Sequence, residues 1–151
     1  MSEQENIQIT KRVFEYFNSH NPDGADQLVA DDLRSEATGA KGVLNKEQNH
    51  MYNHRFFDAF PDIHFDVQDI VAQGDHVAVT YLVKGTHKMA MSLPNGDSLP
   101  PTNRSVSVPG CTVLEFRGNK IAHQKIYWDQ VTFLTQLGVV TEQDMLSRAK
   151  R

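Results

Sequence analysis

The segment KIAHQKIYWD, residues 120–129, places four proton-handling or hydrogen-bonding side chains at every second position: His123, Lys125, Tyr127 and Asp129. Successive side chains of an extended strand alternate between faces. These four therefore share one face, and Ala122, Gln124, Ile126 and Trp128 share the other. Against apolar walls the Asp129 carboxyl would lose hydration and its pKa would rise toward the range useful for taking a proton from carbon. His123 and Tyr127 would then stand beside it to hold charge developing on an oxygen. A second role is equally compatible with the spacing. Asp129 precedes a helical pattern beginning at Gln130, and an aspartate there accepts from backbone amides, which holds its pKa low. Lys125, two positions away, either lowers the Asp129 pKa by its charge or reaches into solvent.

His50 and His54 lie one helical turn apart and share a stripe with Phe57, a spacing that can grip a metal. Met51 follows the first histidine where the HExxH pattern needs glutamate, and no third ligand stands at a recognisable spacing. No metal is therefore expected; Phe57 reads as a pocket residue and His54 as a pocket or surface histidine. His87, in GTH, ends a strand pattern beside a long aperiodic segment and reads either as a rim residue able to bind substrate or as a strand-end hydrogen-bonding group. No GxSxG elbow is present, and Cys111, beside Pro109-Gly110, reads as a buried, inert thiol.

The elements that must carry these residues follow from periodicity. Ile9, Val13, Tyr16 and Phe17 make one face of an amphipathic helix that HNPDG (20–24) ends. A short helix is predicted over 25–29, and 31–44 reads as irregular or weak strand. Asn45 with Gln48 forms a capping-box pattern that opens a central helix, which Pro61 stops. Two hairpins follow, IHFDVQDIVAQ with HVAVTYLVKG around Gly74-Asp75, and RSVSVPGCTVLEF with KIAHQKIYW around Arg117-Gly118-Asn119. Residues 88–102 between them are expected at a pocket mouth. A helix over 130–137 stops at Gly138, and Thr141 with Asp144 opens a last one. This order gives a segregated α+β architecture with four long antiparallel strands, and argues against a parallel sheet.

At 151 residues and 39% hydrophobic the chain is one domain with a real core. A net charge of -4 and a pI near 5.9 argue against nucleic acid as a partner. The basic group Arg148, Lys150 and Arg151 suits the negative end of a helix dipole. One cysteine excludes an internal disulfide, no apolar leader opens the sequence, and no apolar run approaches the roughly 20 residues that span a bilayer. A cytoplasmic protein without a membrane partner is expected. Ile126, Trp128, Val113 and Cys111, taken as one apolar face opposite the polar row, predict a homodimer or higher homo-oligomer.

Three stretches carry a resemblance: AFPDIHFDVQDIVAQGDHVAVTYLVKGTH (59–87), LPPTNRSVSVPG (99–110) and GNKIAHQKIYWDQVTFLTQLG (118–138). Together they resemble the SnoaL-like polyketide cyclases of the nuclear transport factor 2-like superfamily, in order through roughly residues 7 to 146. The resemblance implies a cone-shaped fold, a curved sheet wrapped around a pocket and closed by helices, assembled as a homo-oligomer. It implies ring closure by intramolecular aldol condensation on a hydrophobic, carbonyl-bearing molecule without metal or cofactor. In that family an aspartate near the last strand is general acid and base, and Asp129 matches its position. The family glycine after PPT is Asn103 here, the aromatic four positions before the aspartate is Lys125, and Met89 and Met91 replace small residues. Isomerisation and epoxide hydrolysis also occur in the superfamily, and a non-catalytic binding or interaction module remains a reading of a different class.

Overall fold

The computed structural model describes residues 2–93 and 96–149. Helix α1 (Glu3–Asn18) is capped by Ser2, whose hydroxyl accepts from the Glu5 amide at 3.0 Å, and it buries Ile9, Val13 and Phe14. A short α2 (Pro22–Ala25) and a 3-10 turn (Asp26–Leu28) lead into β1 (Val29–Ala37). Helix α3 (Lys46–Ala59) carries the full capping box, with Asn45 and Gln48 each accepting at 2.9 Å from the other's backbone amide. Strands β2 (His64–Gln73) and β3 (His76–Thr86) form the first long hairpin; β6 (Ser105–Arg117) and β7 (Lys120–Trp128) form the second. Between the hairpins lie two-residue strands β4 (Met91–Ser92) and β5 (Ser98–Leu99), and α4 (Gln130–Gln136) and α5 (Glu142–Ala149) close the chain. Of the basic C-terminal group, Lys150, Arg151 and the Arg148 side chain lie outside the described residues. No helix among the described residues is long and apolar enough to cross a membrane.

The sheet is curved and unclosed, in the order β1-β7-β6-β3-β2. The hairpins pair antiparallel as expected, but β1 runs parallel to β7, with Ser35 opposite Gln124. Of the irregular or weak-strand reading of 31–44, the strand holds as far as Ala37, and the expectation of a wholly antiparallel sheet is corrected here. Asp31, Asp32, Arg34 and Glu36 interrupt the apolar content, yet on an edge strand they point to solvent while Leu33 and Ser35 point in.

Register decides which face meets the core. Thr112 and Leu114 pair with Ile126 and Gln124 and face inward with Trp128, whereas Cys111 and Val113 pair with Tyr127 and Lys125 and face outward. The apolar face proposed from Ile126, Trp128, Val113 and Cys111 is therefore split between the two sides of the sheet. Gly110 lies opposite Tyr81, and a Cβ there would stand 2.6 Å from the tyrosine ring, so the strand needs glycine for the ring to cross it. Asn103 sits at a φ of 58°, a left-handed conformation that asparagine tolerates better than most residues.

Two apolar clusters result. Helix α1 packs Val13 and Phe14 against Val79, Tyr81 and Leu114 of the inner sheet face; Phe60, Met91, Val108, Phe133 and Leu137 make the second, under α4.

Candidate functional site

A cavity of about 130 Å³ opens between the inner sheet face, α1 and α3. Phe14, Phe17, Phe57 and Phe65 make one wall, with Phe57 and Phe65 stacked at 6.2 Å. Trp128, Phe56, Phe133 and Tyr52 make another. The Trp128 indole donates to the Tyr52 hydroxyl at 2.7 Å, and that hydroxyl donates to the Thr38 carbonyl at 2.9 Å. Burial pushes the Tyr52 and Tyr81 phenols up to about 12, so both stay neutral.

Polar atoms enter this cavity at few points. Ser35 Oγ donates to Asn49 Oδ1 at 3.0 Å, and the Gln124 amide nitrogen donates to that same oxygen at 2.9 Å and to Ser35 Oγ at 3.1 Å. Asn49, only 3% exposed, thus spends its oxygen on the protein, and its amide N–H groups are left for the space it lines. Asp26 is the one carboxylate among the described lining residues, and the other charged one, Lys84, has its ammonium 2.5 Å from Asp66. On α3, residues 49, 52, 53, 56, 57 and 60 follow helical spacing along one stripe, so two asparagines inside an otherwise aromatic stripe were the available sequence signal for Asn49. Nothing local pointed to Asp26.

The polar row of β7 lies elsewhere. His123, Lys125 and Tyr127 occupy the outer face: His123 Nε2 is 2.9 Å from Glu36 and its Nδ1 3.7 Å from Glu115, Lys125 is exposed, and Tyr127 is 55% exposed. The inward-facing half of the alternation is Gln124, Ile126 and Trp128, because apolar cover from α3 and α4 claims the side with the larger hydrophobic residues. Asp129 does not line the cavity. It caps α4, accepting from the Thr132 hydroxyl at 2.6 Å and the Thr132 amide at 3.0 Å, and these bonds hold its carboxyl below the ordinary aspartate value, the reverse of the rise expected for a pocket acid.

Asp129→Ala is expected to lower Tm by roughly 2–4 °C at neutral pH, the usual scale for a lost cap in a chain of this size. Because folding depresses this pKa, the stabilisation is complete above the ordinary value of 3.8 and fades as pH falls through the lower folded value. Thermal scans of both proteins should thus show a constant gap near neutrality that closes in acid; a gap unchanged in strong acid would remove the carboxylate from the explanation.

Of the other expected binding residues, Phe57 lines the cavity. His87 does not. It is fully buried, stacks on Phe60 at 5.2 Å, and accepts at Nδ1 from the Thr102 amide at 3.2 Å. Desolvation lowers its pKa, so it is a neutral strut fixing the 88–104 segment. No described residue of that segment lines the cavity; Met91, Leu93 and Leu99 cover the second cluster instead.

His54 also stands outside the cavity, its Nε2 2.6 Å from Asp23 Oδ1, which raises the histidine's pKa and lowers the aspartate's. His50 Nδ1 lies 2.5 Å from Asp26 Oδ2 and 3.7 Å from Asp23. Asp23, from α2, thus adds the third metal-binding type of group that the sequence spacing did not offer, with suitable atoms within 4.8 Å of one another. As they stand these atoms bind each other and latch α2 to α3.

The comparisons with known proteins agree with this architecture. A protein of Streptomyces galilaeus, AclR, described as a candidate hydroxylase, superimposes with a TM-score of 0.80 at 21% identity, covering 93% of this chain and all of that one (100%). A candidate SnoaL-like polyketide cyclase of Jannaschia sp. CCS1 gives 0.78 at 20% identity, covering 92% and 95%. IdmH of Streptomyces antibioticus, a candidate polyketide cyclase, gives 0.73 at 27% identity, covering 87% and 96%. No curated protein sequence matches the chain. The sequence itself matches the family of SnoaL-like polyketide cyclases over residues 7–137, and with the curved sheet and its helical cover in place, this chain belongs to that family.

Proposed function

We propose that the cavity binds a compact hydrophobic molecule bearing a carbonyl group and that the chain carries out cofactor-free acid–base chemistry on it, with aldol-type ring closure as the leading case. The observation that carries this reading is the Asn49 amide: its oxygen is fixed by two donors, which leaves its N–H groups as the available donors of a residue lining a mostly apolar cavity. A carbonyl oxygen satisfies them, and an enolate oxygen satisfies them better, since a hydrogen bond to a charged acceptor is the stronger one. The polyketide cyclase family supplies the reaction class.

Trp128 is the single tryptophan and lines the cavity, so its fluorescence reports occupancy. Titration with 2-indanone and with indane, a hydrocarbon of the same shape, should show the ketone binding about 3–10-fold tighter, the worth of one net hydrogen bond. Equal affinity for the two would leave the amide without the role given to it.

A homodimer belongs to the same proposal, now through the outer sheet face. Tyr127 and Val71 are exposed there, with Cys111, Val113 and Leu82 half-buried beside them. Light scattering at micromolar concentration should return twice the mass of one chain; the mass of a monomer would count against it. A cytoplasmic setting is proposed with it, tested by fractionation of the expressing cells.

A further inference from the structure

The turn that carries Asp26 is held on every side. Asn21 caps α2 by accepting from the Gly24 amide at 3.1 Å, and Gly24 lies so close under Tyr16 that a Cβ would fall 2.4 Å from the ring. Ala25 and Leu28, flanking the turn, are buried in the α1 cluster. Asp26, its side chain 22% exposed, is thereby fixed in the cavity wall, and its Oδ2 meets His50 Nδ1 at 2.5 Å. His50 faces a surface depression that it lines with Asp31, Lys46, Glu47 and Asp26 itself. Asp26 therefore lies in the wall between the two, lining the cavity and the surface depression alike, with His50 on the side of the depression.

His50 is the residue after Asn49 on α3, so a single helical turn carries both the amide of the carbonyl reading and the partner of Asp26, the only acidic residue among the described residues that line the cavity. Asp129 offers no such arrangement, because both of its oxygens are engaged by Thr132 at the surface.

We propose that Asp26 is the catalytic base and acid of this chain, with His50 as its positioning residue and its proton path to solvent. The proposal rests on the reading of the cavity as a carbonyl site. Asp26 takes the proton from the carbon beside the carbonyl. The C–H electron pair becomes the C=C bond of the enolate, and the carbonyl π pair moves to the oxygen held by Asn49. In ring closure that carbon attacks a second carbonyl carbon of the same molecule, and the new alkoxide takes the proton back from Asp26, so no proton is gained or lost. With a simple ketone in heavy water the enolate instead recovers a deuteron, once the Asp26 acid has exchanged through His50.

The test follows the α-protons of 2-indanone in heavy water by proton NMR, alongside Trp128 fluorescence for binding. The wild type is expected to accelerate exchange over buffer. Asp26→Asn, which preserves shape, should lower the protein-dependent rate about 100-fold, the scale of a lost general base, with ketone affinity within about twofold of wild type. His50→Ala should slow exchange about tenfold, and imidazole added to the medium should restore it, a rescue that a purely structural role would not give. Exchange by Asp26→Asn at the wild-type rate overturns the proposal. So does a wild type that binds the ketone without exchanging it, or activity lost to a chelator and restored by zinc, which would give the chemistry to a metal on Asp23, His50 and His54. A wild type that binds 2-indanone no better than indane overturns the carbonyl reading instead.

Discussion

Asn49→Leu is expected to lower the free energy of unfolding by about 2–4 kcal/mol and to abolish the preference for ketone over hydrocarbon. The leucine is close in size, so the loss is one of hydrogen bonds. Ser35, which is fully buried, loses the acceptor of its hydroxyl proton, and Gln124 loses one of its two acceptors. Each group left unpaired in the interior costs about 1–3 kcal/mol, while the added methyl surface returns part of that sum. Urea unfolding gives the first quantity and Trp128 titration the second. A midpoint equal to wild type would mean that water replaces the amide oxygen and that the network does not hold Asn49 in place.

Phe14→Ala should cost more, about 3–5 kcal/mol, the range for removing a large aromatic side chain from a packed interior. Phe14 is 5% exposed and meets Phe17 edge-on at 5.5 Å, Phe65 at 5.7 Å and Tyr81 at 5.3 Å. It also lines the cavity, so the atoms removed enlarge the binding space itself. The variant should gain affinity for a bulkier ketone such as 2-tetralone relative to 2-indanone, provided it is studied well below its lowered Tm. If the ratio of the two affinities stays that of the wild type, the neighbouring rings have closed over the gap and Phe14 does not set the ligand size.

Much of the fold was legible in the sequence, because its signals are local. The Asn45–Gln48 capping box, the Pro61 stop and the glycine turns at Gly74 and Gly118 each act within a few residues, and each stands where spacing placed it. The parallel partner of β1 was not legible, since its charged outer row leaves only a weak strand pattern and pairing with β7 depends on residues far away in sequence. The site fared differently. Alternation along β7 correctly separated His123, Lys125 and Tyr127 from Gln124, Ile126 and Trp128, but period alone does not say which set faces the core. The chemically richer set is the outer one, because the packing of α3 and α4 holds the more apolar set inside. Asp129 carried two roles in the sequence, and Thr132 at the third position after it is the partner that decides for the cap. Asp26 met His50 only through the docking of α2 on α3, which no spacing rule reports.

The pairing of the first strand with the last also governs the order in which the molecule can assemble. Gln124 meets Ser35 across 89 residues of chain, so β1 stays without its neighbour in the sheet until β7 has been synthesised. Closing so long a loop is slow compared with forming the two hairpins, each of which joins strands adjacent in sequence. The inner face of β7 supplies both Gln124, which holds Asn49, and Trp128, which bonds Tyr52. A nascent chain therefore has its first hairpin to form before it has a place for a ligand, and the cavity is complete only once β7 and Phe133 of α4 have joined it.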